Sequence, residues 1–151
     1  MADEPDNFAE LCNANPGGWN RAMGVRFLKA TPDEVVGELT VTPTHHQPYG
    51  IVHGGVMAGV IETLCSVGAA VVATPRNQSV VGVDNHTSFL KAVREGTLRI
   101  TARPITRGRR TQLWEAEVRD AESRLVATGR VRLLCLDEGA ELAGEVVAVK
   151  E

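Results

Sequence analysis

The spacing of apolar residues changes several times along the chain and divides it into helical and extended segments. Near the N-terminus, apolar residues recur at helical spacing up to a breaker at residues 15–18, which predicts a short first helix followed by a turn. Apolar and polar residues then alternate from Val35 to Val41, and this alternation predicts a strand near residues 25–42.

Residues 55–73 have a different pattern, because they contain no proline and a single charged residue, Glu62. Gly54 precedes this segment and Pro75 follows it shortly afterwards. The segment is too long for an ordinary strand, so it predicts one long buried helix.

Four later segments have the alternation of strands and are separated by short turns, which is typical of an antiparallel meander. They are residues 79–92, 97–105, 110–120 and 124–136. We therefore predict an α+β fold, in which one long central helix is held against an antiparallel sheet of about five to six strands.

Length and composition indicate one globular domain. The 151 residues are 43% hydrophobic and 23% charged, without a long run of one sign. We predict a single domain over residues 1–138, followed by a tail or an extra edge segment over residues 139–151. The net charge of −3 argues against general nucleic-acid binding, whereas the local cluster of Arg107, Arg109 and Arg110 suits a small phosphate-bearing ligand.

The cysteines and the N-terminus indicate a cytoplasmic protein. Cys12, Cys65 and Cys135 are far apart and form no CxxC pair, so we expect reduced, buried thiols. The chain begins without the basic start and apolar run of a signal peptide, and we expect no apolar stretch to reach the ~20 residues that span a bilayer. The spacing of the four histidines brings no three ligands together, so no metal site is expected.

A lone carboxylate in an apolar helix needs a reason, because burying an unpaired charge costs several kcal/mol. Glu62 either emerges on a solvated side of the helix, meets a buried arginine, or serves a site. Ser66 lies one turn further on the same face, although its hydroxyl could instead bond back to a helix carbonyl. The rest of that face is predicted to be small and to leave room for a ligand or a second helix: Ala58, Gly59, Ala69 and Ala70.

The entrance of the helix, residues 47–55, lacks a Ser, Thr, Asp or Asn placed to cap its first N–H groups. We therefore expect the N–H groups of Gly54 and Gly55 to point outward at the positive end of the helix dipole, where a polarised carbonyl oxygen would bind. The alternative is that the two glycines only form a tight turn.

Glu62 lies eight residues beyond Gly54, which is roughly 12 Å along a helix axis. A reacting centre needs contacts of about 3 Å, so Glu62 cannot serve a carbonyl held at its own helix entrance. If two subunits pair with antiparallel helices, Glu62 of one comes beside Gly54 of the other. A homodimer with shared sites is therefore expected.

The string QPYGIVHGGVMAGVIETLCSVGAA resembles the helix entrance and central helix of the hotdog thioesterases. The branch it resembles contains the phenylacetate-degradation thioesterases, the glutamate-type 4-hydroxybenzoyl-CoA thioesterases and the 1,4-dihydroxy-2-naphthoyl-CoA thioesterases. The later strings FLKAVREG and GRRTQLW are similar to the same branch, and the resemblance covers roughly residues 20–136. It implies the hotdog fold and hydrolysis of an acyl-CoA.

The resemblance also implies roles for five residues. Gly54 would donate its N–H to the thioester carbonyl, with Gln47 polarising the same oxygen and His53 supporting that corner. From the other subunit, Glu62 would attack the carbonyl or activate a water, and Ser66 would position the water or the carboxylate. No cofactor is implied beyond the coenzyme A of the substrate.

A wider set of residues is implied in binding the substrate or its coenzyme A. Phe89 occupies a position at which the naphthoyl-CoA enzymes often have a histidine. The sequence therefore does not identify the particular acyl group of the substrate. His86 either lines the acyl or coenzyme A channel or packs at a strand end, and each arginine either pairs with a phosphate or lies in an exposed basic turn. The implied binding residues are Gly55, His86, Thr87, Ser88, Phe89, Arg94, Arg109 and Arg110.

The leading hypothesis is hydrolysis of an aromatic or medium-chain acyl-CoA by a homodimer or a dimer of dimers, without nucleic-acid or membrane partners. Two alternatives use the same fold. An enoyl-thioester dehydratase or hydratase would pair His53 with Glu62, and a non-catalytic acyl-CoA-binding protein would keep the groove without the reaction.

Overall fold

The computed structural model describes residues 6–150 and has three helices and eight strands in that range. The helices are α1 (Ala9–Ala14), α2 (Gly17–Met23) and α3 (Gly54–Ala73), and short 3₁₀ turns cover Pro43–His45 and Thr74–Arg76. The strands are β1 (Arg26–Ala30), β2 (Val35–Thr40), β3 (Gln78–Phe89), β4 (Thr97–Arg107), β5 (Thr111–Arg119), β6 (Leu125–Asp137), β7 (Glu141–Leu142) and β8 (Glu145–Val146).

Six of the strands form one antiparallel sheet in the order β1-β2-β4-β5-β6-β3, with α3 packed on it. The predicted α+β class, with one long helix on an antiparallel sheet, is confirmed. The expected four-stranded meander is wrong, because β3 pairs with β6 at the far edge and only β4, β5 and β6 follow one another. Residues 90–96 therefore connect β3 at one edge to β4 in the interior of the sheet.

The N-terminal third differs from the prediction in two places. The strand expected over residues 25–42 is two strands, because Thr31 folds the chain back by accepting the N–H groups of Asp33 and Glu34 at its hydroxyl. The breaker at residues 15–18 ends α1, but α2 begins within it at Gly17, which the pattern did not predict. Helix α2 ends at Gly24, whose φ of +73° is the left-handed conformation common at helix ends.

Helix α3 packs on the sheet through one face. Trp114 of β5 is fully buried, and its ring lies against Gly68, where a Cβ would come within 2.4 Å of the ring. Ala69 is fully buried on this face, so its predicted place beside Glu62 is wrong. The buried residues of α3 are Val56, Met57, Val60, Ile61, Leu64, Cys65, Gly68, Ala69 and Ala73.

The apolar stretch of α3 is longer than expected. Gly54–Arg76 spans 23 residues and contains an 18-residue window with a mean hydropathy of 2.0, so by length and composition alone the expectation that no stretch reaches bilayer length is wrong. Half of that window is buried inside the domain, since one face of the helix forms the core with the sheet. Packing against the sheet accounts for its apolar character.

The C-terminal segment forms a small hairpin of β7 and β8. This hairpin is a separate two-stranded sheet and, among the described residues, adds no strand to the edge of the main sheet. The extra-edge alternative for residues 139–151 is therefore wrong for its described part.

We expect Gly68→Ala to lower the free energy of unfolding by about 1–3 kcal/mol, because the new methyl group overlaps the buried Trp114 ring. Gly18→Ala in α2 is the matched control, since a Cβ there meets nothing within 4 Å. It should leave stability unchanged or raise it by less than about 1 kcal/mol. Urea titrations at one protein concentration measure both; equal effects would show that Gly68 is not a tight contact.

Candidate active site

Glu62 emerges on an exposed side of α3, next to β3. Its Oε2 accepts a hydrogen bond of 3.4 Å from Asn85 Nδ2, and its Oε1 would lie 2.8 Å from a Cβ placed on Gly82. Within residues 6–150 no Lys, Arg or His forms an ion pair with this carboxylate. The alternative in which Glu62 meets a buried arginine is therefore wrong.

An open groove of about 500 Å³ runs along the same side of α3. Helix α2 forms one wall, because Trp19 lies on Gly59 so closely that a Cβ there would be 2.4 Å from the indole. The Thr63 hydroxyl donates a 2.9 Å hydrogen bond to Asn20 Oδ1 and fastens α2 to α3. The groove is lined by Trp19, Asn20, Gly55, Gly59, Glu62, Thr63, Ser66 and Val67.

The structure thus brings Glu62 and Ser66 together in one groove, as predicted from their spacing. Among the described residues, the Ser66 hydroxyl makes no hydrogen bond to a helix carbonyl, so it is free to contact a ligand. Trp19 and Asn20 were not predicted as part of this site. The available signal was a single tryptophan in the polar segment NPGGWNR, directly behind a helix breaker.

The two glycines at the helix entrance are not equivalent. His53 Nδ1 accepts the Gly55 N–H at 2.7 Å, so the expectation that Gly55 keeps a free outward donor is wrong. A ring nitrogen that accepts a hydrogen bond is unprotonated, which leaves the proton of neutral His53 on Nε2. In the described part of the chain the Gly54 N–H has no hydrogen-bond partner, so it is the donor available at the entrance.

The Phe89 ring packs against Gly54. A Cβ on Gly54 would lie 2.9 Å from Phe89 Cζ. The Phe89 side chain is otherwise open to solvent, since the residue is 60% exposed. Only glycine leaves room for the ring in this position. Phe89 therefore lies at the helix entrance, and its predicted role in substrate binding stays a prediction.

The loop before α3 is held in shape by its own side chains and by Arg94. Gln47 Oε1 accepts the N–H of Tyr49, which leaves the Gln47 amide nitrogen as the group that can donate to a ligand. Arg94 Nη1 donates to the carbonyl oxygens of Tyr49 at 2.9 Å and Gly50 at 3.3 Å. In this structure Arg94 fastens the entrance loop, and its predicted contact with coenzyme A stays a prediction.

The four predicted binding residues of β3 do not share one face. Thr87 and Phe89 point toward α3, since the Thr87 hydroxyl donates to Asn85 Oδ1 at 2.6 Å and Phe89 lies on Gly54. His86 and Ser88 alternate with them and therefore lie on the outer face of the sheet. The structure brings only the first pair into the neighbourhood of Glu62 and the helix entrance.

The basic turn between β4 and β5 lies at the opposite end of the sheet. There the Arg107 guanidinium forms an ion pair with Asp33, with 2.6 Å between Nη1 and Oδ1. Arg109 and Arg110 have exposed side chains, while their carbonyl oxygens are held by Gln78 Nε2 and by the backbone N–H of Cys135. The turn thus has a fixed backbone and two guanidinium groups that, within residues 6–150, have no carboxylate partner.

Arg94 and the Arg109–Arg110 pair cannot serve one ligand on one chain. They lie at opposite ends of β4, whose 11 residues extend roughly 30 Å. The start of α3 lies at the same end of the sheet as Arg94. The C-terminus of α3 lies at the opposite end, with Arg109.

His45 and the three cysteines are not among the residues that line the groove. His45 is buried, because its ring accepts the N–H of Thr42 at 2.9 Å and bonds the carbonyl of Met23 at 2.7 Å. All three cysteines are free, and burial, with smaller effects from Glu115 and Glu62, raises the pKa of the Cys65 thiol to about 12. Cys12, expected to be buried, is half-buried.

Among the described residues no cluster of His, Cys, Asp and Glu could hold a metal.

Residues 49–127 match the family model of the thioesterase superfamily. The Mycobacterium tuberculosis protein Rv1847 is 37% identical over 139 residues, covering 91% of this chain and 98% of that protein. The proofreading thioesterase EntH of Cronobacter turicensis is 33% identical over 109 residues, covering 72% of this chain and 79% of that protein.

Solved structures agree with the sequence matches. The structure of Rv1847 superposes with a TM-score of 0.78 at 38% identity, covering 82% of this chain and 98% of that one. The thioesterase HI1161 from Haemophilus influenzae superposes with a TM-score of 0.77 at 26% identity, covering 91% and 93%. The predicted hotdog fold and the resemblance to hotdog thioesterases are both confirmed.

Proposed function

The chain belongs to the thioesterase superfamily, and on that premise we propose that it hydrolyses an acyl-CoA thioester to the free acid and coenzyme A. The observation that carries the proposal is the Glu62 carboxylate, which lies in an open groove without a cationic partner among the described residues. An unpaired carboxylate keeps its negative charge available for a carbonyl carbon or for the proton of a water molecule.

The proposed mechanism divides the work between the helix entrance and the groove. The Gly54 N–H and the Gln47 amide nitrogen would donate to the thioester oxygen, which becomes negative as the carbonyl is attacked. Glu62 would either attack the carbonyl carbon, forming an anhydride that water then hydrolyses, or take a proton from the attacking water. In both routes the C–S bond breaks and the sulfur leaves as the coenzyme A thiol, while Ser66 orients the water or the carboxylate.

The two halves of this site are too far apart within one chain. The face of β3 that meets α3 runs antiparallel to the helix, with Gly82 at Glu62 and Phe89 at Gly54. Gly54 and Glu62 themselves are eight residues apart on α3, which is roughly 12 Å along the helix axis. We therefore propose that Gly54 of one subunit and Glu62 of a second form each site.

A free strand edge supports such a pairing. β3 is 12 residues long and lies at the edge of the sheet, where unpaired N–H and C=O groups can bind another strand. Antiparallel pairing of two β3 strands, with the Gly82 region of one beside the Phe89 region of the other, would place the helix entrance of one subunit near Glu62 of the other. It would also bring Arg94 of one subunit toward Arg109 and Arg110 of the other, along one bound coenzyme A.

The shape and lining of the groove favour an aromatic or medium-chain acyl group as the substrate. Trp19 is 43% exposed, and its indole offers a flat apolar surface close to Glu62 on which an aromatic ring could stack. A groove of about 500 Å³ also has room for a short alkyl chain.

The dehydratase alternative is less well supported, because it needs a free nitrogen of His53 as a base. Nδ1 already accepts the Gly55 N–H at 2.7 Å, and the proton then lies on Nε2. The non-catalytic alternative makes no use of the unpaired Glu62 carboxylate. Hydrolysis uses the Glu62 carboxylate and needs no base from His53, and the relative EntH is named a proofreading thioesterase.

Replacing Glu62 tests the reaction directly. Glu62→Gln keeps the side-chain volume but removes the charge, so kcat should fall at least about a hundredfold while the fold is retained. Glu10→Gln on exposed α1 is the matched control and should leave kcat unchanged. Thiol release across a panel of acyl-CoA substrates is the measurement. A folded Glu62→Gln protein with near-normal turnover would contradict the proposed function.

Replacing Arg109 and Arg110 together by Ala tests the coenzyme A contact. The change should raise KM for an acyl-CoA far more than KM for the matching acyl-pantetheine, because only the CoA substrate carries the nucleotide phosphates. Arg99→Ala, an exposed position on β4, controls for the loss of positive charge. If KM rises equally for both substrates, the two arginines do not bind the phosphates.

A shared site can be tested by mixing two inactive variants, Glu62→Gln and Gly54→Val. The valine would overlap Phe89 and obstruct the entrance. In a mixed dimer one site combines intact Gly54 with intact Glu62, and the second site has both defects. Random exchange should therefore restore roughly a quarter of the wild-type activity, provided the sites act independently. Verified exchange without recovery would show that each chain builds its own site.

A further inference from the structure

Strand β3 contains a β-bulge directly opposite Glu62. Gly82 pairs with Leu133 and Asp84 with Arg132, so Val83 is an extra residue without a partner. In a regular strand, residues 82 and 85 would face opposite sides of the sheet, because they are three apart. The extra residue shifts the alternation by one and turns both toward α3.

The strand opposite shows this change of face. Leu133 and Val131, the partners of Gly82 and Asn85, are fully buried and point toward the core. Arg132 between them is exposed on the outer face. Gly82 and Asn85 therefore both reach the Glu62 carboxylate, one at each oxygen.

Asn85 is fixed from both sides. The Thr87 hydroxyl donates to its Oδ1 at 2.6 Å, which turns the Nδ2 end of the amide toward α3. Nδ2 donates to the carbonyl oxygen of Ala58 at 2.9 Å and to Glu62 Oε2 at 3.4 Å. Ala58 lies one turn before Glu62, so Asn85 holds both the helix backbone below the carboxylate and the carboxylate itself.

Gly82 provides the space on the other side. Glu62 Oε1 would be 2.8 Å from a Cβ at position 82, closer than real Cβ atoms approach other atoms. Any side chain there would push the carboxylate away from β3. The bulge thus places a residue with a donor and a residue without a side chain at the two carboxylate oxygens.

We propose that the bulged segment of β3 is a seat for the Glu62 carboxylate, in which Asn85 and Gly82 are positioning residues for the proposed hydrolysis. This inference rests on the proposed function of Glu62. A neutral amide suits the task, since it orients the carboxylate without the charge of Lys or Arg, which would hold the negative charge in an ion pair. The seat belongs to the same chain as Glu62, so the carboxylate is oriented before the thioester binds.

The test compares Asn85→Leu alone and in the Glu62→Gln protein. Leu has nearly the same volume but no donor, so kcat for benzoyl-CoA and octanoyl-CoA should fall about tenfold while KM changes less than about twofold. In the Glu62→Gln background the same change should lower the residual kcat by less than about twofold, because Asn85 acts through Glu62. Thr101→Val on the outer face of β4 is the control for an unrelated polar-to-apolar change in the sheet.

Gly82→Ala is a second variant at the other carboxylate oxygen. It should lower kcat as Asn85→Leu does, again with little change in KM and with no further loss in the Glu62→Gln background. Circular dichroism and thermal unfolding identify the folded variants, and either variant alone suffices for the coupling measurement.

The outcomes separate this inference from the proposed function. If Glu62→Gln retains near-normal turnover, the proposed function fails first. If Glu62→Gln loses activity but the Asn85 and Gly82 variants keep normal kcat, or lose equal factors with and without Glu62, the seat is wrong and the proposed function stands.

Discussion

The rotation of α3 about its own axis is the constraint on which the site depends. Trp114 fits against Gly68, and Leu64 lies 3.4 Å from the position of a Cβ on Gly37 in β2. Gln112, which is fully buried, donates to the carbonyl of Ala69 at 3.0 Å. These contacts with two strands fix which face of the helix is buried. The opposite side, with Gly59, Glu62 and Ser66, is thereby fixed toward the groove.

The proposed site leaves one polar group available to a ligand at each of its two ends. At the helix entrance, His53 caps Gly55 and leaves the Gly54 N–H available. In the groove, Asn85 contacts Glu62 at the long distance of 3.4 Å and leaves the carboxylate without a cation among the described residues. Gly54 is half-buried and Glu62 is exposed, so a ligand can reach both groups without disturbing the core.

Local patterns predicted the elements well, whereas features that depend on neighbouring segments escaped prediction. Helix α3 and strands β4 to β6 lie within two residues of their predicted bounds, because their periodicity and flanking turns are strong. The position of β3 at the far edge follows from how α3 crosses the sheet, which periodicity does not report. Glu62 and Ser66 could be paired from helical spacing alone, but Asn85 could not, since the bulge at Val83 reverses the strand alternation from which a face is inferred.

The arrangement along β3 fits the proposal that one chain holds both halves of a site without completing it. The same strand face seats Glu62 at Gly82 and meets the helix entrance at Phe89, so both ends are built on one rigid edge. A rigid edge keeps them apart as firmly as it positions them, and no side-chain movement closes roughly 12 Å. A second chain paired antiparallel along this edge would bring each half against the complementary half, and the two-fold axis would create two equal sites at once. The free edge of β3 is thus both the frame of the half-sites and the surface through which they could be joined.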